Sequence, residues 1–360
     1  MKRKYFNPII LFRRIVFEFL HPQNFYLKKI KKYFIIFNKN NNSKNKYEFF
    51  YAIYDLEVSA VTFNFVEFLV MCNNHLLENN YKYFIVIFIE KDEKSINSGE
   101  FDSKINALNK KWRLYEVLIP LMKFCKNCKG HLFLPNRAHY FKYVKNVNTY
   151  PEDYSISNIS SIGLDELKHL YKKNNIESCS LKSNETHLNF VENWLKTNKL
   201  NKNKTVVISI RDTPFDIVRN SKLNEWIKFT NFLTDLNYQV IIIPDNDSKI
   251  DYFSKFNKCK IVYEAAYSVS FRFVLSEIVF LNLYVSHGPS LLSVFNMKSD
   301  YAIFNIQPKN NSFTDTFEAY KQIGWEYNKD FKFAKKKQKL IWEEDTFENL
   351  KENFIKYFNN

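Results

Sequence analysis

Residues 283–295 read Leu-Tyr-Val-Ser-His-Gly-Pro-Ser-Leu-Leu-Ser-Val-Phe, a stretch that predicts a short apolar strand, a tight turn and a helix. Gly288 lets the backbone bend without a Cβ clash, and Pro289 suits a first helical position, where a missing N–H costs nothing. The chain has only five glycines, so one at this turn is informative. The unpaired N–H groups of such a helix start suit a phosphate, but the same pattern also fits an ordinary turn inside a core.

This stretch belongs to a regular alternation of strands and helices in the second half of the chain. Strands are predicted at 205–210, 239–243, 260–263, 283–286 and 301–306. Helices are predicted between them at about 221–236, with Ser221 as the N-cap, at 248–257, at 268–281 and from 289 onward. Strands that alternate with helices in this way are typical of a doubly wound parallel sheet.

The first half shows a looser version of the same alternation. Strands are predicted at 48–54, 82–89 and 131–134, and helices at 63–78, 106–126, 164–173 and 185–197. Pro120 should end or kink the second of these helices. The spacing of Leu350, Phe354 and Phe358 predicts a closing helix. We therefore expect an arm over 1–46, Rossmann-like domains over 47–197 and 198–335, and a closing helix within 336–360.

The basic charge of the chain is concentrated at its N-terminus. The whole chain carries a net charge of +15, of which residues 1–46 contribute +11. A fold-wide groove for nucleic acid is therefore disfavoured. The apolar residues of 9–20 are too few and too interrupted by charge to span a bilayer, and no signal-peptide cleavage site follows. They fit a basic amphipathic helix on an anionic membrane surface, or a helix packed on the protein body.

The cysteines indicate a reducing compartment. There are five, an odd number, and no signal peptide accompanies them, so we expect free thiols and a cytoplasmic location. Cys125 and Cys128 with His131 resemble half of a zinc site, but no second pair follows. A structural zinc takes four ligands, so we expect no metal.

In parallel sheets, ligands bind beyond the carboxyl ends of the strands. The residues predicted to lie at that edge of the second sheet are Arg211, Asp212, Arg219, Asn220, Ser221, Asp245, Glu264, Ser286, His287, Gly288, Pro289 and Ser290. Two arginines and two helix starts at one edge favour a site for a multiply charged anion such as a diphosphate. Taken singly, each of these residues also fits an ordinary solvated edge.

Several short motifs carry a resemblance to a known group of proteins. They are 210–212 (Ile-Arg-Asp), 219–221 (Arg-Asn-Ser) with Trp226, 242–245 (Ile-Ile-Pro-Asp), 286–290 (Ser-His-Gly-Pro-Ser), and, more loosely, 54–57 and 62–65. Together they resemble bacterial GT-B glycosyltransferase-like proteins encoded with surface polysaccharide genes. The resemblance implies an α/β fold of GT-B type, with two Rossmann-like domains facing a cleft.

The resemblance also implies how the site works. The C-terminal domain would hold a nucleotide-sugar and the N-terminal domain an acceptor, without a metal or other cofactor. Arg211, Arg219 and the N–H groups of 288–291 would stabilise the leaving diphosphate, and Glu264 or its backbone would contact the nucleoside. Asp55 or Glu57 would be the general base, unless it merely caps the next segment. One departure is that the 287–289 turn has a single glycine where related phosphate loops often have two.

Three hypotheses follow from these patterns. The first is a cytoplasmic glycosyltransferase, peripheral on the inner membrane face, that moves a sugar from a nucleotide-sugar to a lipid-linked or surface-glycan acceptor. The second is a nucleotide-sugar 2-epimerase of the same fold, which would need several convergent acids and histidines. The third is a non-catalytic adaptor that binds a membrane or nucleic acid through its arm.

Deleting residues 1–46 separates the first hypothesis from the third. If the arm serves location, the truncated protein should lose affinity for anionic vesicles and keep its affinity for nucleotide, because the predicted donor-binding residues all lie within 198–335. Vesicle co-sedimentation at two salt concentrations, with nucleotide binding measured in parallel, checks this. Loss of both activities in a folded truncated protein would contradict it.

Overall fold

The computed structural model describes residues 48–90, 107–144, 147–155, 158–214, 216–246, 248, 250–308 and 317–359. The predicted arm over 1–46 lies outside the described residues.

The first sheet is parallel throughout and has the strand order β3-β2-β1-β4. Its strands are β1 (Phe49–Asp55), β2 (Tyr83–Ile89), β3 (Cys128–Leu134) and β4 (Thr149–Tyr150). Its helices are α1 (Phe65–Glu78), α2 (Ala107–Arg113), α3 (Arg137–Tyr143), α4 (Leu164–Tyr171) and α5 (Glu185–Thr197). The apolar run over β2 is buried along most of its length, as expected of a parallel strand covered on both faces.

The second sheet is also parallel, with the strand order β10-β9-β8-β5-β6-β7. Its strands are β5 (Thr205–Ser209), β6 (Gln239–Ile243), β7 (Lys260–Ile261), β8 (Leu281–Val285), β9 (Tyr301–Phe304) and β10 (Gln338–Leu340). Its helices are α6 (Leu223–Asp235), α7 (Glu264–Tyr267), α8 (Val269–Ile278), α9 (Leu291–Val294), α10 (Phe317–Gln322) and α11 (Phe347–Tyr357). The predicted α/β class, with two Rossmann-like sheets, is confirmed.

The structure refines two local predictions. Pro120 does not end its helix, but the regular α-helix is interrupted just before it, because α2 passes through a π-helical turn (Leu114–Leu118) into helical residues Ile119–Leu121. The wider turn accommodates a proline ring that would clash with the carbonyl four residues earlier. Ser221 is not the N-cap of α6, because that position is Lys222, whose N–H donates to buried Asp345 at 2.9 Å.

The predicted helix in the tail is confirmed as α11. Leu350, Phe354 and Phe358 are all buried, and the Phe354 ring packs edge-on against Phe229 of α6 with their centroids 5.9 Å apart. Asp345, just before this helix, also accepts the indole N–H of Trp226 at 2.7 Å. The tail is therefore joined to the second sheet by both apolar and polar contacts.

A single apolar core joins the two sheets. At its centre the Tyr171 ring of α4 packs against Phe295, Trp325 and Phe331 from the second half of the chain. The Tyr171 hydroxyl donates a 2.5 Å hydrogen bond to the buried carboxylate of Glu67 on α1. Burial raises the pKa of Glu67 to about 7, and the hydrogen bond from Tyr171 opposes part of that rise.

Glu67 should make the stability of this junction depend on pH. Because its folded pKa lies above its ordinary value, its contribution is greatest below pH 4.5 and is lost as pH rises through 7, by about 3 kcal/mol in total. Glu67→Gln should flatten the unfolding free energy between pH 4.5 and 7.5, measured by urea denaturation. Glu48→Gln, at an exposed glutamate, is the control, and an unchanged slope in Glu67→Gln would contradict the assignment.

Candidate functional site

A cleft of about 750 Å³ lies between the two sheets. Its second-sheet wall includes six of the residues predicted to bind the donor: Arg211, Arg219, Asp245, His287, Gly288 and Pro289. Its first-sheet wall comes from the loop after β1 (Ala60–Asn64) and from α2 with the following turn (Asn109–Val117). The carboxyl edge of the second sheet thus faces the first domain across one cavity, as parallel sheets arrange their binding sites.

Arg211 is 5% exposed and is held by the loop that follows β5. Its guanidinium donates to the carbonyl of Asp216 at 2.8 Å and to the side-chain oxygen of Asn220. Ser221 closes the base of this loop, since its hydroxyl accepts the Arg211 N–H at 3.0 Å and its own N–H donates to the Arg211 carbonyl. Burial, together with the nearby charge of Arg219, lowers the pKa of Arg211 to about 10. The group therefore remains a cation at neutral pH.

Arg219 crosses from the same loop to the end of β8. Its guanidinium donates to the Ser286 carbonyl at 2.7 Å and lies 3.5 Å from the Asp216 carboxylate. Its Nε is buried and has no hydrogen-bond partner in the described chain. Asn220 and Ser286 thus position the two arginines and do not themselves line the cleft.

Arg272 is the important residue that sequence reasoning missed. It lies within α8, is 7% exposed, and lines the cleft. In the described structure its Nε has no hydrogen-bond partner, and no ion pair to the side chain is present. Burial lowers its pKa, while Asp245 acts in the opposite sense. A signal was present in the sequence, because Arg272 is a lone charge within the apolar run 269–275.

His287 is a neutral hydrogen-bond acceptor in the wall of the cleft. Its Nδ1 lies 2.7 Å from the Val285 carbonyl, so Nδ1 carries the proton and Nε2 a lone pair. Nε2 is buried without a partner among the described residues. Burial, followed by the charge of Arg272, holds the pKa of His287 well below its usual value.

The turn at 288–291 differs from the predicted phosphate loop. Pro289 has no N–H, the Ser290 N–H donates to the His287 carbonyl at 3.1 Å, and the Leu291 N–H donates back to Gly288. The turn is a single 3-10 turn (Gly288–Ser290) followed by the four-residue α9, so three of the four positions expected to donate N–H groups to a phosphate cannot do so.

Gly288 has a different role from the one expected. Its φ lies outside the left-handed region, so the glycine is not required for a bend. A methyl group there would instead lie 3.1 Å from a ring carbon of Phe63. Gly288 therefore allows the first domain to approach the second.

The two predicted general bases are not on the cleft. Asp55 is fully buried, and one of its carboxylate oxygens accepts from Arg137 Nε at 2.6 Å and from the Tyr154 hydroxyl at 2.7 Å. Glu57 is ion-paired with the same arginine at 2.9 Å. Both carboxylates are thus held by Arg137 at the end of β1, and neither is part of the cleft lining.

The other predicted residues surround the cleft without forming its wall. Asp212 donates its N–H to Asp245 at 3.3 Å, and the Ser290 hydroxyl donates to the His287 carbonyl at 2.7 Å. Glu264 is exposed at the start of α7 and does not line the cleft. Tyr267, at the end of the same short helix, does line it.

The first-domain wall adds residues that the sequence did not single out. The Trp112 ring packs edge-on against the Tyr267 ring across the cleft, with the two ring centroids 6.1 Å apart. Arg113 follows it on α2 and also lines the cavity. Both positions depend on how α2 is placed against the second sheet, so no local pattern in the sequence reveals them.

Two further findings concern the described residues. No group of three or more His, Cys, Asp or Glu side chains there is arranged to hold a metal ion. No helix there is both long enough and apolar enough to cross a bilayer.

No family model matches the chain, and no curated protein matches it. Among solved structures, it is similar to a glycosyl transferase family 9 protein from Veillonella parvula DSM 2008, with 10% identity and a TM-score of 0.40, over 73% of this chain and 81% of that one. It is also similar to ADP-heptose LPS heptosyltransferase II of E. coli, with 7% identity and a TM-score of 0.43, over 71% and 84% respectively. At this level of similarity, an activity has to be inferred from the cleft itself.

Replacing Arg272 and Arg211 should affect stability in opposite directions. Arg272→Met removes a buried cation without a contacting counter-charge and keeps its volume, so the free protein should be as stable or more stable, by about 1 kcal/mol. Arg211→Met breaks hydrogen bonds within its loop and should destabilise by about 1–3 kcal/mol. Urea denaturation measures both changes. Substantial destabilisation by Arg272→Met would show that the guanidinium has a structural role.

Proposed function

We propose that this protein is a glycosyltransferase that moves a sugar from a nucleotide-sugar donor to a glycan or lipid-linked acceptor. The observation that carries the proposal is the convergence of Arg211, Arg219 and Arg272 on one side of a cleft whose other side belongs to a second domain. Three guanidinium groups in a largely water-excluded wall are suited to a diphosphate.

The charge of the cleft fits the leaving group of such a transfer. When the sugar–phosphate bond breaks, negative charge develops on the terminal oxygen of the diphosphate. Arg272 is already buried without a contacting counter-charge, so it can interact with that oxygen without rearranging protein contacts. Arg211 and Arg219 are fixed by their own hydrogen bonds, which hold both guanidinium groups in place at the wall of the cleft.

His287 fits a binding role for the donor. Its unpartnered Nε2 can accept a hydrogen bond from a hydroxyl of the donor, next to the cations that hold the phosphates. Asp245 faces the same space and partly balances the arginine charge. We assign no general base to Asp55 or Glu57, since both carboxylates are engaged with Arg137 away from the cleft.

The composition of the cleft favours transfer over epimerisation. A 2-epimerase would need several convergent acids and histidines, whereas the described lining has one of each, Asp245 and His287. The proposal retains metal-independent transfer, and it retains the basic arm over 1–46 as a membrane-surface contact that keeps the enzyme near its acceptor on the cytoplasmic face.

A thermal-shift screen against UDP-, GDP-, CMP-, ADP- and dTDP-sugars tests the proposal. One donor should raise the melting temperature by a few degrees, because ligand that binds the native state stabilises it. The shift should persist in EDTA and should fall in Arg211→Ala, Arg219→Ala and Arg272→Met. Incubation with that donor alone, followed by sugar analysis, should give free nucleotide and sugar but no epimer. Unchanged nucleotide affinity in all three variants would refute the site.

A further inference from the structure

The first-domain wall of the cleft has one cation, Arg113, and within the described lining it has no acid. The Nε of Arg113 is buried and has no hydrogen-bond partner in the described structure, and the side chain forms no ion pair there. Arg211 and Arg219 differ from Arg113 in this respect, since their guanidinium groups form hydrogen bonds or an ion pair with Asp216, Asn220 and Ser286. Among the described residues, Arg113 is therefore a cavity-lining cation whose Nε is available to a ligand.

The residues beside Arg113 indicate what that ligand is. Asn109, Trp112 and Arg113 are spaced i, i+3 and i+4, so they share one face of α2 and line the cleft together. An indole supplies a broad apolar surface, an amide pairs with hydroxyls, and a guanidinium forms two parallel hydrogen bonds to a carboxylate or phosphate. This combination fits a sugar ring that carries an acidic group.

We infer that the reaction uses an acidic sugar, bearing a carboxylate or a phosphate ester that Arg113 binds across the cleft from the donor diphosphate. The inference rests on the proposed function. Arg113 lies on the opposite wall from the three arginines of the second sheet. It would therefore contact the part of the substrates that extends away from the diphosphate. The acid belongs either to the transferred sugar or to the acceptor.

Simple anions test the inference without knowledge of the nucleotide. Calorimetric titrations compare glucuronate and glucose 6-phosphate with neutral glucose. Wild type should bind the two acids about tenfold more tightly than glucose, the effect of one charge-assisted pair. Arg113→Gln should abolish that preference, while Arg113→Lys should keep part of it. Lys111→Gln, which removes an exposed charge from the same helix, should have no effect.

Inorganic pyrophosphate separates the two proposals. It should bind wild type and Arg113→Gln equally and should lose affinity in Arg272→Met. If wild type does not bind pyrophosphate, the proposed diphosphate site fails, whatever the sugar acids do. If Arg113→Gln weakens pyrophosphate as much as Arg272→Met does, Arg113 is a diphosphate ligand and the present inference is wrong. The inference of an acidic sugar is also wrong if glucose binds to the wild-type protein as tightly as glucuronate does.

A last comparison identifies which substrate carries the acid. If glucuronic acid 1-phosphate binds about tenfold more tightly than glucose 1-phosphate, and Arg113→Gln loses this difference, the acid is on the transferred sugar. If the two 1-phosphates bind equally, and free glucuronate still binds when pyrophosphate is saturating, the acid is on the acceptor. Both results support an acidic sugar, and absence of both overturns it.

Discussion

The burial of positively charged arginine side chains is the constraint on which the second half of this molecule depends. Arg211 and Arg272 are almost fully buried, and Arg219 lies beside them. Each would be costly if it were isolated in an apolar interior. The loop from 211 to 221 is built to reduce that cost, with the Asp216 carbonyl, Asn220 and Ser221 surrounding Arg211. Arg272 receives no comparable contact in the described chain, so we expect its burial to cost stability.

The first half depends on a different charged group. Asp55 ends β1 inside the protein, where Arg137 and Tyr154 satisfy one carboxylate oxygen and the Glu57 N–H donates to the other. This network fixes the chain just before the segment that forms the cleft wall at 60–64. The two halves thus use buried ions differently. In the first network the carboxylate of Asp55 is satisfied on both oxygens by protein groups, whereas in the second the arginines line a cavity.

The sequence predicted the fold well where local patterns decide it. The bounds of α5, β6 and the helix α1 follow from apolar periodicity and from turn residues, and they agree with the structure to within two residues. The edge strands β4 and β10 have two and three residues, too few for a periodic signal, and their pairing depends on the neighbouring strand.

The site was less accessible to sequence reasoning, for a physical reason. Counting along the strand ends found Arg211, Arg219 and His287, because strand order alone brings those positions together. It also selected Asp55, since nothing near residue 55 shows that Arg137, 82 positions later, occupies its carboxylate. Arg113 and Arg272 lie on helices, and which helix face meets a cleft is decided by packing between the two domains.

The close approach at Gly288 makes the width of the cleft depend on an absent side chain. Phe63 belongs to the opposite wall of the cavity, and a methyl group on residue 288 would lie 3.1 Å from a carbon of its ring. Any residue other than glycine at this position would therefore have to displace Phe63, so the space between the two walls at the turn is set by the smallest residue in the chain.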